Sequence, residues 1–174
     1  STAALLRAAV NQEGSLLARG MGRSYGDSAN AQRVLATSYC NHFIDFDEHT
    51  GKLTAESGIT LREILTVIVP KGWFLPVTPG TSYVTLGGAI ASDVHGKNHH
   101  IAGTFGQYVT SLNLVLGTGE LISASMYENS DLFHATCGGM GLTGVIISAS
   151  IQLIPIQSSI IRQQTIKADC IEAA

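Results

Sequence analysis

The hydrophobic pattern of the chain predicts a few short helices among many short strands. The clearest helix is expected over residues 60–69, where apolar side chains recur at i, i+3, i+4 and i+7 from Leu61. Thr60 and Glu63 fit the capping-box pattern at its start, and Pro70 marks its end. Further helices are expected over residues 2–12, 85–91 and 130–136.

Short apolar runs bounded by turn residues predict strands that pair mostly as hairpins. Gly51 and Gly119 lie in two such turns, each between a pair of apolar runs. The expected strands and extended pieces cover residues 15–18, 34–37, 42–46, 52–56, 74–77, 108–116, 120–125 and 145–155. Few helices and many hairpins predict an α+β fold with largely antiparallel sheet, and they argue against a doubly wound parallel sheet.

Length and charge narrow the class of protein. The 174 residues are enough for a domain with a sizeable core. A net charge of −3 without a basic run makes nucleic acid a poor partner. No apolar run is long enough to cross a bilayer, and the N-terminus lacks a signal-peptide pattern. We expect a cytoplasmic protein, with a peripheral position at the membrane left open.

Cys40, Cys137 and Cys170 form no C-x-x-C pair, so we expect reduced, buried thiols.

The residues with the clearest chemical pattern are 18–27, ARGMGRSYGD, which follow a short apolar run. Their three glycines allow positive φ and a close approach to a ligand, and the loop can turn its N–H groups toward an anion. Arg19 and Arg23 carry guanidinium groups that match phosphate oxygens. The stretch fits neither the P-loop nor the G-x-G-x-x-G dinucleotide pattern. It predicts a diphosphate-binding loop, with an ordinary tight connection as the alternative.

Two further glycine-rich passages follow, residues 78–100 and 137–144. Three such passages, separated by strands of the sheet, indicate a long ligand that contacts the protein main chain along its whole length. The second passage also contains His95 and His99, four residues apart. A metal site is the weaker alternative, since Gly96 disfavours the helix that would align the two imidazoles, and no carboxylate or cysteine follows. We expect no metal.

The motifs ARGMGRSYGD, TPGTSYVTLGGAIASDVHGKNHH and LFHATCGGMGLTG resemble the PCMH-type FAD-binding domain of the vanillyl-alcohol-oxidase family. Within it they are most similar to the decaprenylphosphoryl-ribose 2′-oxidase group and related FAD-linked sugar oxidases. The resemblance implies two α+β subdomains with FAD between them, over residues 1–157 and without the family's opening strand. Residues 158–174 would then begin, or lead to, a substrate domain that this chain lacks.

The resemblance also implies roles for particular residues. The first loop would hold the FAD diphosphate, and residues 80–81 with 85–88 the ribityl and phosphate region. Residues 92–95 would lie beside the isoalloxazine, and 141–146 on the adenine side. His95 and Lys97 would lie by the flavin and the substrate, as candidate catalytic residues, with the base in the absent domain. The expected cofactor-binding residues are Ala18, Arg19, Gly20, Met21, Gly22, Arg23, Ser24, Tyr25, Gly26, Asp27, Gly80, Thr81, Thr85, Leu86, Gly87, Gly88, Ser92, Asp93, His95, Gly141, Gly144 and Ile146.

The implied function is FAD binding within an oxidoreductase that oxidises a hydroxyl of a sugar or polyprenyl-phosphate sugar. Tyr25 stands where many family members attach FAD through a histidine, so we expect non-covalent FAD. An alditol or aldonolactone oxidase and a non-catalytic flavin-binding module are the alternatives. A charged share of 13% and the missing substrate domain predict that the chain alone is inactive, binds FAD weakly and self-associates.

Overall fold

The computed structural model describes residues 16–168 and 170–171, so the helix expected over residues 2–12 lies outside the described residues. The described strands are β1 (Leu17–Arg19), β2 (Val34–Ala36), β3 (Phe43–Asp47), β4 (Lys52–Glu56), β5 (Trp73–Phe74), β6 (Val109–Val115), β7 (Leu121–Ser125), β8 (Val145–Gln152) and β9 (Ile154–Pro155). The α-helices are α1 (Leu61–Ile68), α2 (Leu86–Ala91), α3 (His99–Ala102) and α4 (Ser130–Thr136), with 3-10 turns at Thr37–Tyr39, Val69–Lys71 and Phe105–Tyr108.

A five-stranded antiparallel sheet in the order β3-β4-β8-β6-β7 forms the centre of the domain. The hairpins predicted around Gly51 and Gly119 are present as β3–β4 and β6–β7. Both glycines have positive φ, +73° and +78°, which explains why glycine occupies these turns. The expected α+β fold with mostly antiparallel sheet is confirmed.

Strand β8 contributes apolar residues to both faces of the sheet. Val145 and Ile147 pack in a second apolar cluster, whereas Ile146 between them joins the main core, which is the ordinary alternation of a strand. In the pairing of β8 with β6, Ile147 is the extra residue of a bulge. The alternation changes after this bulge, so Ala149 and Ile151 also face the main core.

The helices α1 and α2 bury their apolar sides against the main core. The capping box of α1 forms as predicted: the Glu63 amide donates to Thr60 Oγ1 at 3.2 Å, and the Thr60 amide donates to Glu63 Oε2 at 2.8 Å. Gly72 ends the following 3-10 turn with φ +80°. None of the described helices has the length and apolar character needed to cross a membrane.

The pairing of β1 with β2 differs from the sequence expectation, because these strands run parallel. They are three residues each, and residues 20–33 connect them, so no local hairpin pattern announces the pair. Their inner side chains, Ala18 and Leu35, pack on the second apolar cluster with Ile147. The pair thus fixes the start of the first glycine loop above the central sheet.

Candidate functional site

A cleft of about 1280 Å³ lies where the three glycine-rich passages meet. This volume exceeds the range of roughly 300–1,000 Å³ of ordinary small-molecule sites, so it suits a long ligand. Its walls come from the first loop, the segment before α2, the start of α2, and the passage that leads into β8. Residues outside the predicted set that also line it are Ser28, Ala29, Thr37, Ser57, Phe74, Leu75, Pro76, Thr78, Pro79, Val84, Ala91, Val94, Gly96, Asn98, His99, Met140 and Ile154.

The first glycine loop leaves β1 at Arg19 and turns at once. Gly22 has φ +60°, a conformation that side-chain-bearing residues rarely adopt. A Cβ at Gly22 would lie 2.6 Å from Arg19 Nη2, so the guanidinium packs against bare backbone. Arg19 Nη1 donates to Asn30 Oδ1 at 3.1 Å, which ties the loop to its own return segment. Both arginines line the cleft, but Arg19 also shapes the loop, whereas Arg23 is exposed.

The start of α2 lies directly beneath the first loop. Thr85 caps this helix, accepting at Oγ1 from the amide N–H of Gly88 at 3.1 Å. A Cβ at Gly20 would overlap the side chain of Thr85, and a Cβ at Gly87 would lie 2.8 Å from Ser57 Cβ. These glycines allow the loop, α2 and the end of β4 to meet without side chains between them.

The third glycine passage is held against the end of α2. The Gly138 amide donates to Ile90 O at 3.0 Å, and the Met140 amide donates to Ala91 O at 2.8 Å. Gly141 has φ +78° and open space where a Cβ would be. The main chain of this passage therefore forms one wall of the cleft next to Ile146.

His95 and Lys97 lie together at the end of the cleft formed by residues 94–99, and both are exposed. Asn98 Nδ2 donates to Pro76 O at 3.1 Å, which attaches this segment to the loop that follows β5. The rings of His95 and His99 lie 5.3 Å apart in an edge-to-face arrangement. Across residues 16–168 and 170–171, no three His, Cys, Asp or Glu side chains form a group suited to a metal.

The structure brings together most of the residues predicted from the sequence. The following line the cleft: Ala18, Arg19, Gly20, Met21, Gly22, Arg23, Ser24, Tyr25, Gly80, Thr81, Thr85, Gly87, Gly88, Ser92, His95, Lys97, Gly141, Gly144 and Ile146. Gly26, Asp27, Leu86 and Asp93 do not. Leu86 is fully buried in the main core. Asp93 turns its carboxylate to the Gly106 amide at 2.7 Å, so its side chain is used within the fold.

The three cysteines have different environments. Cys40 is buried, Cys137 is half-buried and Cys170 is exposed, which corrects the expectation of a buried thiol at Cys170. Burial, with a smaller effect of the Asp93 carboxylate, raises the pKa of the Cys137 thiol to about 11. At neutral pH this thiol is protonated and a poor nucleophile. Cys137 does not line the cleft.

Comparison with known proteins identifies the family. A family model described as an FAD binding domain matches residues 1–125. The chain belongs to this family of FAD-binding domains. The family expected from the glycine motifs is thus confirmed. The match also supports FAD as the cofactor of this α+β domain.

Three relatives illustrate the range of similarity. Decaprenylphosphoryl-beta-D-ribose oxidase of Mycolicibacterium smegmatis is 41% identical over 90% of this chain and 35% of its own length. D-arabinono-1,4-lactone oxidase of Kluyveromyces lactis is 25% identical over 87% of this chain and 30% of its own. Delta(24)-sterol reductase of Homo sapiens is 30% identical over 64% of this chain and 22% of its own. The FAD-binding domain described here thus spans about a third or less of these relatives.

The cleft of this FAD-binding domain fits the cofactor in shape and in chemistry. Gly80 and Gly141 leave open space where a Cβ would stand, so a ligand can approach their main chain closely. Arg23 supplies a cation for phosphate, and Ser57 supplies a buried hydroxyl with no hydrogen-bond partner among the described residues. Ser57 was missed in the sequence because a serine at the end of a strand carries no motif.

Proposed function

We propose that this chain is the FAD-binding part of an oxidoreductase that oxidises a hydroxyl group of a sugar or polyprenyl-phosphate sugar. The observation that carries the proposal is that the three glycine-rich passages line one cleft, together with His95 and Lys97. The similarity of 41% to a decaprenylphosphoryl-ribose oxidase supports the substrate class.

The glycine loop 18–25 would hold the FAD diphosphate through main-chain N–H groups, assisted by Arg23. The residues near Gly80 and Thr85 would line the middle of the cofactor, and Gly141 with Ile146 the adenine side. Tyr25 is 97% exposed, and a phenol in this place supports non-covalent attachment of FAD.

The chemistry follows from what the bound group and the cleft supply. FAD, when bound, supplies the hydride acceptor. Lys97 would stabilise negative charge with its ammonium group, and His95 would orient the substrate hydroxyl by a hydrogen bond. The base that removes the hydroxyl proton is proposed to come from the substrate-binding part of the whole protein.

A second candidate is an aldonolactone or alditol oxidase. The similarity to D-arabinono-1,4-lactone oxidase over 87% of this chain supports it. The cofactor cleft has the same role with either substrate. The two candidate functions therefore differ only in which substrate reduces the flavin.

The test combines cofactor binding with anaerobic flavin reduction in the complete protein. FAD added to the purified protein is expected to bind and to be released on acid precipitation. Decaprenylphosphoryl ribose is then expected to bleach the flavin absorbance, faster than an aldonolactone or an alditol. His95→Ala and Lys97→Ala should slow bleaching, and Lys52→Ala on the exposed side of β4 should not. Flavin that binds but is bleached by no sugar, lactone or alditol would favour a non-catalytic flavin-binding module.

A further inference from the structure

Ser57 is the residue of the cleft whose chemistry is not accounted for by the fold. It follows β4, is 2% exposed, and lines the cleft. Its Oγ is the buried side-chain polar atom without a hydrogen-bond partner in the described part of the chain. Because a buried hydroxyl without a partner destabilises the folded state, it indicates a partner supplied from elsewhere.

The other hydroxyls on this floor of the cleft are already engaged. Thr85 Oγ1 accepts from the Gly88 amide at 3.1 Å, and Thr37 Oγ1 donates to Arg19 O at 3.3 Å. The main chain of Ser57 is engaged as well, since its amide donates to Ile147 O and its carbonyl accepts from the Gly87 amide. The backbone of Ser57 is thus fixed, and the hydroxyl alone is left to turn.

The position of Ser57 favours the diphosphate over the ends of the cofactor. Gly87 lies against it, and a Cβ at Gly87 would stand 2.8 Å from Ser57 Cβ and 3.5 Å from Ser57 Oγ. Gly87 follows Thr85 by two residues, and Thr85 lies against Gly20 of the first glycine loop. Ser57 therefore lies under the loop proposed to hold the diphosphate. Because Gly87 has no side chain, Ser57 can pack directly against its backbone.

We propose that the Ser57 hydroxyl turns about its Cα–Cβ bond into the cleft and donates a hydrogen bond to a diphosphate oxygen of FAD. The inference rests on the proposed function. A serine hydroxyl has three staggered positions about this bond, so one rotation is enough to redirect it. The structure without cofactor keeps an unsatisfied donor, and cofactor binding satisfies it.

This arrangement gives Ser57→Ala effects of opposite sign on stability and on binding. Without FAD, the variant should be at least as stable as the wild type, because it loses a buried hydroxyl that has no partner. With FAD, its Kd should rise roughly tenfold to a hundredfold, as expected for a lost hydrogen bond to a charged group. A serine that serves only packing would not separate the two readouts in this way.

Ser148→Ala is the matched control. Ser148 is also a buried serine of the central sheet, 5% exposed, but its Oγ accepts from Asn113 Nδ2 at 3.0 Å and it does not line the cleft. This variant should lower the denaturation midpoint of the cofactor-free protein and leave the Kd for FAD unchanged.

The experiment titrates the complete wild-type protein and the variants with FAD, ADP and riboflavin, and measures denaturation midpoints without ligand. The expected result is that Ser57→Ala weakens FAD and ADP by similar factors and leaves riboflavin unchanged. An unchanged Kd for FAD, or a loss confined to riboflavin, would overturn the inference. Ser57→Gly, which also removes the hydroxyl, replaces the alanine variant if that one does not fold. A wild type that binds no FAD would instead count against the proposed function.

Discussion

The carboxylate of Asp93 accepts a hydrogen bond from the amide N–H of Gly106 at 2.7 Å. Asp93 has φ +40°, which is unusual for a residue with a side chain, and it follows the end of α2 directly before the segment of His95. A Cβ at Gly106 would lie 2.9 Å from the Asp93 carboxylate, so the two segments of the chain pack closely. Asp93 thereby fixes the direction in which the chain leaves α2.

Asp93→Ala should therefore destabilise the protein by about 1–3 kcal/mol, because the Gly106 amide loses its acceptor and alanine disfavours positive φ. Asp93→Asn keeps an acceptor oxygen and tolerates positive φ, so it should lose less than half as much. Denaturant unfolding of both variants measures the difference. Equal losses in the two variants would mean that the hydrogen bond to Gly106 does not set the stability of this turn.

The first glycine loop gives a prediction about cofactor binding. Gly22→Val should weaken FAD binding more than tenfold, about 1.4 kcal/mol or more. A branched side chain at φ +60° is strained, and its Cβ would stand 2.6 Å from Arg19 Nη2. Gly117→Val is the control, since nothing lies within 4 Å of its Cβ position and it does not line the cleft. A flavin titration that gives the same Kd for both variants would show that the loop does not contact the cofactor.

The sequence predicted well those parts of the fold that local contacts decide. The helix from Leu61 to Ile68 follows from apolar spacing and from the cap by Thr60, and the hairpins follow from turns at Gly51 and Gly119. The parallel pair β1–β2 could not be predicted, because two three-residue strands joined by a long loop are held by packing on the second apolar cluster. The short helix α3 in HHIA also lacks any apolar periodicity.

The candidate site was predictable where glycine marks close approach of main chain. Gly20, Gly87 and Gly141 have sequence motifs, and all three line the cleft. Side-chain direction was less predictable. Asp93 belongs to a matching motif but turns to Gly106, whereas Ser57 belongs to no motif and lies in the cleft. Both outcomes depend on partners distant in sequence.

The half-buried Cys137 should react slowly with thiol reagents. Its raised pKa, about 11, leaves little thiolate at pH 8, and reaction should accelerate as the pH rises toward that value. Asp93→Asn removes the carboxylate that contributes to the shift, so alkylation of Cys137 at pH 9 should be faster in that variant. Iodoacetamide labelling followed by peptide mass spectrometry measures both, with the exposed Cys170 as the internal comparison. Labelling of Cys137 as fast as Cys170 at pH 8 would contradict the burial of this thiol.

The cap of α1 predicts a pH-dependent contribution to stability. Thr60 donates to the Glu63 carboxylate from its hydroxyl at 2.6 Å and from its amide at 2.8 Å, and these bonds lower the pKa of that carboxyl from its usual value near 4.5. Because the folded-state pKa is the lower one, the stabilisation is present above the unfolded-state value. It is lost as the pH falls through the folded-state value.

Thr60→Ala should accordingly cost about 0.5–2 kcal/mol at pH 7. Glu63→Gln should also destabilise the protein at pH 7, since the ionised acceptor is lost, but the difference from wild type should shrink steadily below pH 4.5. Glu120→Gln, in the exposed turn after Gly119, should stay within about 0.5 kcal/mol of wild type at pH 7. Urea unfolding at a series of pH values measures all three variants. If the loss in Glu63→Gln were the same at pH 3 as at pH 7, the carboxylate charge would have no part in the cap, and its two bonds to Thr60 would count only as neutral hydrogen bonds.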